Sequence, residues 1–296
     1  MKLIQFVLPG KGQRVGLVQG DRVLDLTAAE EGIRSTLELI VQGKTAHGVV
    51  ARATWLARHA RGKPLDWAEL QRATSRRVPH LVLPVDPPEV WGMDGTYGPG
   101  ELPPPAVFFK ATGARCVGPG APLILRADVG RVVPEAELAV VIGADGCPVA
   151  FTACNDVTGE FALHDGAAAI AVAKVLRGRC ALGPCLVTPD EIGDPDRLQV
   201  RCAIRRDGAE LFAATANTAA IAPDVTGLVG HLLANGWVPP GTVLATGSGI
   251  AIPDSVQLAD GDVVDVEVEG IGRLSNPVKL TPSRNSRTAR APRTPR

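Results

Sequence analysis

The sequence predicts an α+β or mainly β fold, with a small N-terminal α+β unit ahead of a larger strand-rich one. Apolar runs of strand length, such as LAVVI at 138–142, TVLAT at 242–246 and VVDVEV at 263–268, are separated by Gly, Pro and Asp turns. With 33 glycines, 25 prolines and only 4% aromatic residues, the composition favours many short strands over a helical bundle. Helical spacing is confined to 28–78 and to stretches near 159–174 and 217–235.

The elements follow in order. KLIQFVL, RVGLVQ and RVLDL within residues 1–27 are divided by Pro9-Gly10 and Gly20-Asp21, the dipeptides that reverse a hairpin. Leu37, Ile40, Val41, Val49, Val50, Leu56 and Trp67 then recur at spacings near three and four, which predicts helix across 28–78. From Pro79 to Pro105 the prolines at 84, 87, 88, 99, 103 and 104 predict an extended, linker-like passage. The boundary is placed around 72–85, giving units of 1–78 and 79–283. Residues 284–296 (RNSRTARAPRTPR) read as a disordered, solvated tail able to touch an anionic partner.

Charge and cysteine usage exclude several classes. Net charge is +0, but the tail holds five of the 31 basic residues and no acid, leaving 26 against 31 acidic residues in the body. A body of that sign argues against nucleic acid as a partner. No run approaches the roughly 18 apolar residues of a membrane span, and the N-terminus lacks the pattern of a signal peptide. None of the six cysteines forms a CxxC pair, so a zinc ribbon or redox dithiol is not indicated. Reduced cysteines in a cytoplasmic protein are the simplest account.

Chemistry concentrates at PEAELAVVI (134–142). Alternate strand residues share a face, so Glu135 and Glu137 point the same way at the mouth of a strand apolar on both faces. They are either solvated acids or ligands of a divalent cation, with Mg²⁺ suited to oxygen donors. Asp156 ends another apolar stretch, 149–156, and would complete a three-carboxylate site or cap a helix beginning near Gly159. Lys174 follows a small-residue helix and could face a substrate carboxylate or, desolvated, act as a base. Thr246, Gly247 and Ser248 follow a strand and offer hydroxyls and backbone N–H groups to an anion. Neither a GxSxG elbow nor a nucleotide-binding glycine fingerprint is present.

Taken together, FFKATGARCVGPG (108–120), PEAELAVVIG (134–143), CNDVTG (154–159), CALGPC (180–185), TGSGIAIP (246–253) and GDVVDVEVEGIGRLSNPV (261–278) resemble the fumarylacetoacetate hydrolase superfamily. The nearer likeness is to its 2-keto-3-deoxy-D-arabinonate dehydratase branch. The resemblance implies a C-terminal mixed β-roll, a homodimer, and Mg²⁺ or Mn²⁺ held by Glu135, Glu137 and Asp156. It also implies that Lys174 is the active-site lysine, and that Lys110 and Thr246 to Ser248 meet a small-molecule substrate, a 2-oxo acid or 1,3-dicarbonyl compound. A lyase or hydrolase working through a metal-stabilised enolate is expected.

Two segments depart from those relatives. Gly159 to Leu163 lacks the family's anion-binding Arg, and Ala106 stands where dehydratases carry a Glu shortly before FFKATG. His164 and Asp165, or Asp94 and Tyr97, are candidates to supply a replacement base. The alternative to a diverged enzyme is a catalytically silent relative that serves as a binding or scaffold protein.

Overall fold

The computed structural model describes residues 1–73, 75–98, 102–126, 130–159, 174 and 178–282. Its backbone is two mixed β-sheets and a separate two-stranded pair, with helices Thr36–Gly43 and Ala46–His59 on the outer face of the largest sheet. The larger sheet runs, edge to edge, through Leu65–Asp66, Arg22–Asp25, Gly12–Gln19, Lys2–Leu8, Cys180–Val187, Pro148–Asp156, Ala136–Ile142, Val243–Ala245, Val90–Asp94 and Ala106–Ala111. Along that path only Val243–Ala245 and Val90–Asp94 are parallel. The second sheet orders Ala209–Asn217, Gln199–Arg206, Val263–Val268, Gly272–Thr281 and Leu123–Arg126.

The predicted N-terminal hairpins form. Lys2–Leu8 goes on to pair with Cys180–Val187 through Lys2 opposite Val187 and Leu3 opposite Leu186, so one sheet runs through both sequence units. The helical stretch is divided into Thr36–Gly43, Ala46–His59 and Trp67–Arg72. Ser35 and Glu38 close a reciprocal capping box that starts the first helix. Between the first two helices Gly43 and Gly48 touch so closely that a Cβ on Gly48 would lie 2.0 Å from the Gly43 carbonyl oxygen, which permits the tight corner.

The linker-like reading of 79–105 is corrected in part. Val90–Asp94 lies inside the large sheet, between Val243–Ala245 and Ala106–Ala111. Pro84, Pro87 and Pro88 sit outside the ladder, and nearby carbonyls are satisfied laterally: Gln5 donates to the Leu83 carbonyl at 2.7 Å and Thr36 to that of Pro84 at 2.6 Å. Near 217–235 the helix observed is Val225–Ala234. The helix expected near 159–174 falls outside the described residues except for Gly159, which is in a strand, and Lys174, and so does the 284–296 tail.

Pleating divides the core in two. Leu138, Val140 and Ile142 face the second sheet and join Val200, Ile204, Val264 and Val266. Ala139 and Val141 face the helices and join Leu39, Ile40, Val49 and Leu56. Glu135 and Glu137 share the parity of Ala139, so the acids belong to the helix-side face.

Candidate active site

Register creates the carboxylate cluster. Glu135 precedes the strand Ala136–Ile142, Glu137 is its second residue, and Asp156 ends Pro148–Asp156. The antiparallel ladder pairs Glu137 with Cys154, and Asp156 donates its N–H to the Glu135 carbonyl at 2.9 Å. One carboxylate oxygen from each acid therefore lies within 4.8 Å of the others. The helix-cap alternative for Asp156 is not realised, because Thr158–Gly159 is a strand paired with Val132–Val133.

Two lysines reach this cluster from different directions. Lys110, 1% exposed, forms an ion pair with Asp156 and donates to the Val157 carbonyl at 3.0 Å. Lys174 donates to Glu135 at 2.6 Å and stands 3.5 Å from Asp156, with its ammonium 5.0 Å from the centroid of the Phe108 ring. Three carboxylates thus stand beside two ammoniums, with Glu135 and Asp156 taking the ion pairs.

The electrostatics follow from that imbalance. Burial pushes the Glu137 carboxyl well above the usual range, and the charges of Asp156 and Glu135 push it further. Glu135 moves the same way, by burial and then by Asp156, with Lys174 opposing. For Lys174 burial works against the charge, but Asp156 and Glu135 outweigh it and hold the ammonium protonated above the ordinary lysine range. In this arrangement the Lys174 ammonium is a counter-charge to Glu135 and Asp156. An all-oxygen set with excess negative charge is the chemistry that a hard divalent cation neutralises, so the residues fit Mg²⁺ or Mn²⁺.

The other expected binding residues are brought to the cluster in an unexpected orientation. The Gly247 N–H is taken by Glu137 at 2.7 Å, and the Thr246 hydroxyl donates to the Leu138 carbonyl at 2.9 Å. Both brace the strand that carries the acids instead of projecting into open space. Lys110 is likewise turned onto Asp156. Ser248 does line a cavity of about 300 Å³, together with Asp94, Tyr97 and Glu135. Burial, with the Glu137 charge adding to it, pushes the Tyr97 phenol up and keeps it protonated. His164 and Asp165 lie outside the described residues.

Thr96 was not legible as a site residue. Its hydroxyl donates to the Thr246 carbonyl at 2.7 Å across a separation of 150 residues, and no local motif signals such a contact. Phe108 sits in a motif of evident interest, but only the fold reveals its ring beneath the Lys174 ammonium.

Fold and site together define a mixed-β protein with a buried three-carboxylate centre opening onto a cavity. The chain belongs to the fumarylacetoacetate hydrolase family, matching the model described as fumarylacetoacetate (FAA) hydrolase C-terminal over residues 95–279. It is 30% identical over 237 residues to a 2-dehydro-3-deoxy-D-arabinonate dehydratase of Saccharolobus solfataricus, covering 73% of this chain and 80% of that protein. A mitochondrial oxaloacetate tautomerase of Xenopus laevis is 28% identical over 304 residues, covering 94% of this chain and 90% of that one. Among solved structures, a 2-keto-3-deoxy-D-arabinonate dehydratase complexed with magnesium and 2,5-dioxopentanoate superposes with a TM-score of 0.80 at 27% identity, covering 96% of this chain and 100% of that chain. The α+β fold with mixed sheets expected from the resemblance is the fold observed. No helix among the described residues is long and apolar enough to cross a membrane.

Proposed function

We propose that this protein is a Mg²⁺- or Mn²⁺-dependent enzyme acting on a 2-oxo acid or 1,3-dicarbonyl compound, by dehydration or carbon–carbon cleavage. The observation that carries the reading is the cluster of Glu135, Glu137 and Asp156, two of them buried, beside a cavity and short of counter-charge. These three residues would hold the ion. When bound, the metal supplies Lewis acidity that stabilises negative charge developing on the substrate's 2-oxo oxygen.

The chain's own residues do the rest. Lys110 fixes the orientation of Asp156 from below, and the Gly247 N–H fixes Glu137. Lys174, poised between Glu135 and Asp156, would offer its ammonium to a substrate carboxylate reaching the cluster. Ser248 and Tyr97 offer hydroxyls to the remaining polar groups. Six free thiols agree with work in a reducing compartment such as the cytoplasm, and a homodimer is the assembly proposed from the family likeness.

The test is Mn²⁺ binding to chelator-stripped protein, followed by electron paramagnetic resonance, then turnover of a panel of 2-oxo acids and 1,3-diketones. One tight site per chain is expected, with both site and turnover abolished in Glu137→Gln while the circular dichroism stays native. Wild-type protein without a site, or Glu137→Gln with undiminished turnover, overturns the assignment.

A further inference from the structure

Glu135 and Asp156 are engaged with the two lysines and Glu137 accepts the Gly247 N–H, which makes a group beyond the cluster a candidate to move a substrate proton. The register of the large sheet points to one. Val243–Ala245 lies between the strand of the acids and Val90–Asp94, with Ala139 opposite Ala245 and Ala245 opposite Gly92. Two residues along, the same row reads Glu137, Gly247 and Asp94, and the ladder then places Ala106 directly opposite Asp94. The 2.7 Å bond from the Gly247 N–H to Glu137 keeps that row in line past the last paired residue.

Residues in one row share a face. Asp94 therefore stands on the face of Glu137, two strand spacings away, or roughly 10 Å between backbones. Gly247 between them has no side chain, and the Thr96 hydroxyl stands where its Cβ would be, so the open space between the acids lies beside that row, in the cavity. The cavity of about 300 Å³ has Asp94 and Glu135 in its walls, with Tyr97 and Ser248. Asp94 is exposed, and one of its carboxylate oxygens accepts the N–H of Gly95 at 2.8 Å, which orients the group. Tyr97, kept protonated, can donate a hydrogen bond there but is a poor acceptor of a proton.

We infer that Asp94 is the general base of the site, a catalytic residue that removes a proton from the carbon adjacent to the substrate's 2-oxo group. The C–H bond breaks and its electron pair forms the carbon–carbon double bond of an enolate. The carbonyl π pair moves to oxygen and the proton rests on Asp94. It returns to carbon in a tautomerisation, or it joins a hydroxyl on the next carbon, which leaves as water; either route restores the carboxylate. The inference rests on the metal-assisted reading above and adds the residue that exchanges the proton.

The experiment uses pyruvate as probe, in D₂O with Mg²⁺, and follows loss of its methyl proton signal by NMR. Mn²⁺ binding by paramagnetic resonance and pyruvate binding by calorimetry are measured on the same full-length proteins. Wild type should exchange above the Mg²⁺ background, and Asp94→Asn should exchange about 100-fold more slowly with both binding affinities retained. Asp94→Glu should recover part of the rate, which a purely structural aspartate would not allow. Exchange at the wild-type rate in Asp94→Asn overturns the role of Asp94 alone. A wild type that binds Mn²⁺ and pyruvate but never exchanges overturns the proposed function and the base with it.

Discussion

In the second sheet Asp265 accepts two hydrogen bonds from Arg205, at 2.6 and 3.0 Å, and Asp262 accepts two from Arg206, at 2.8 and 2.9 Å. In the large sheet Glu135 and Asp156 divide Lys110 and Lys174 between them, and Glu137 beside them accepts only the Gly247 N–H among the described residues. Both regions hold buried acids against basic side chains, yet they respond in opposite ways. Burial raises Asp262, but the Arg206 pair and the Ala259 N–H outweigh it and leave the carboxyl below its ordinary range. At Glu137 burial is reinforced by two further carboxylates, and the carboxyl ends well above that range. Matched pairs lock a sheet. A set with one acid too many is strained in charge until a cation joins it.

The most severe way to break the contrast is Lys110→Met. It leaves Asp156 buried beside two other acids, and metal-free protein should lose about 3–5 kcal/mol in urea unfolding. Mg²⁺ should restore part of that loss, and an unchanged unfolding midpoint would show Lys110 to be incidental.

A second test joins metal and pH. At a hundredfold excess over its dissociation constant, Mg²⁺ should stabilise the wild type by about 2.7 kcal/mol and Glu137→Gln hardly at all. Glu135 and Glu137 bind protons more readily folded than unfolded, because their values rise above the ordinary 4.5 on folding. Their contribution therefore favours the fold as pH falls from the raised values toward 4.5, and saturating Mg²⁺ should remove that gain. Asp262 has the opposite sign. Its stabilisation is complete above 3.8 and is lost as pH falls through its lowered folded value. Superimposable profiles of unfolding midpoint against pH, with and without Mg²⁺, would remove the distinction.

Arg201→Ala should have the smallest effect. Its partner Glu210 is 53% exposed and the arginine 35%, so solvent screening limits the loss to about 1 kcal/mol or less, and Mn²⁺ binding should not change. A loss of metal affinity here would mean that the two regions are coupled.

Much of the site was legible because its chemistry is local. Glu135 and Glu137 are two residues apart, and a period of two in a strand is enough to put them together. The N-terminal hairpins were legible from their turn dipeptides. Val90–Asp94 was not, because Pro87, Pro88 and Gly95 crowd it and its parallel partner lies about 150 residues away in sequence. The outward or inward sense of Thr246 and Lys110 was hidden for a related reason: their partners, Leu138 and Asp156, are distant in the chain.

The parallel seam between Val90–Asp94 and Val243–Ala245 also bears on when the cleft comes into being. Hairpins such as Lys2–Leu8 with Gly12–Gln19 need only their own turn to form. The seam needs the chain to close a loop spanning half its length, an entropic cost that local contacts cannot offset early in folding. The wall that carries Asp94 is therefore assembled late, after the hairpin of strands bearing Glu137 and Asp156. A nascent chain would present acids able to capture a cation before it had a cavity in which to use one.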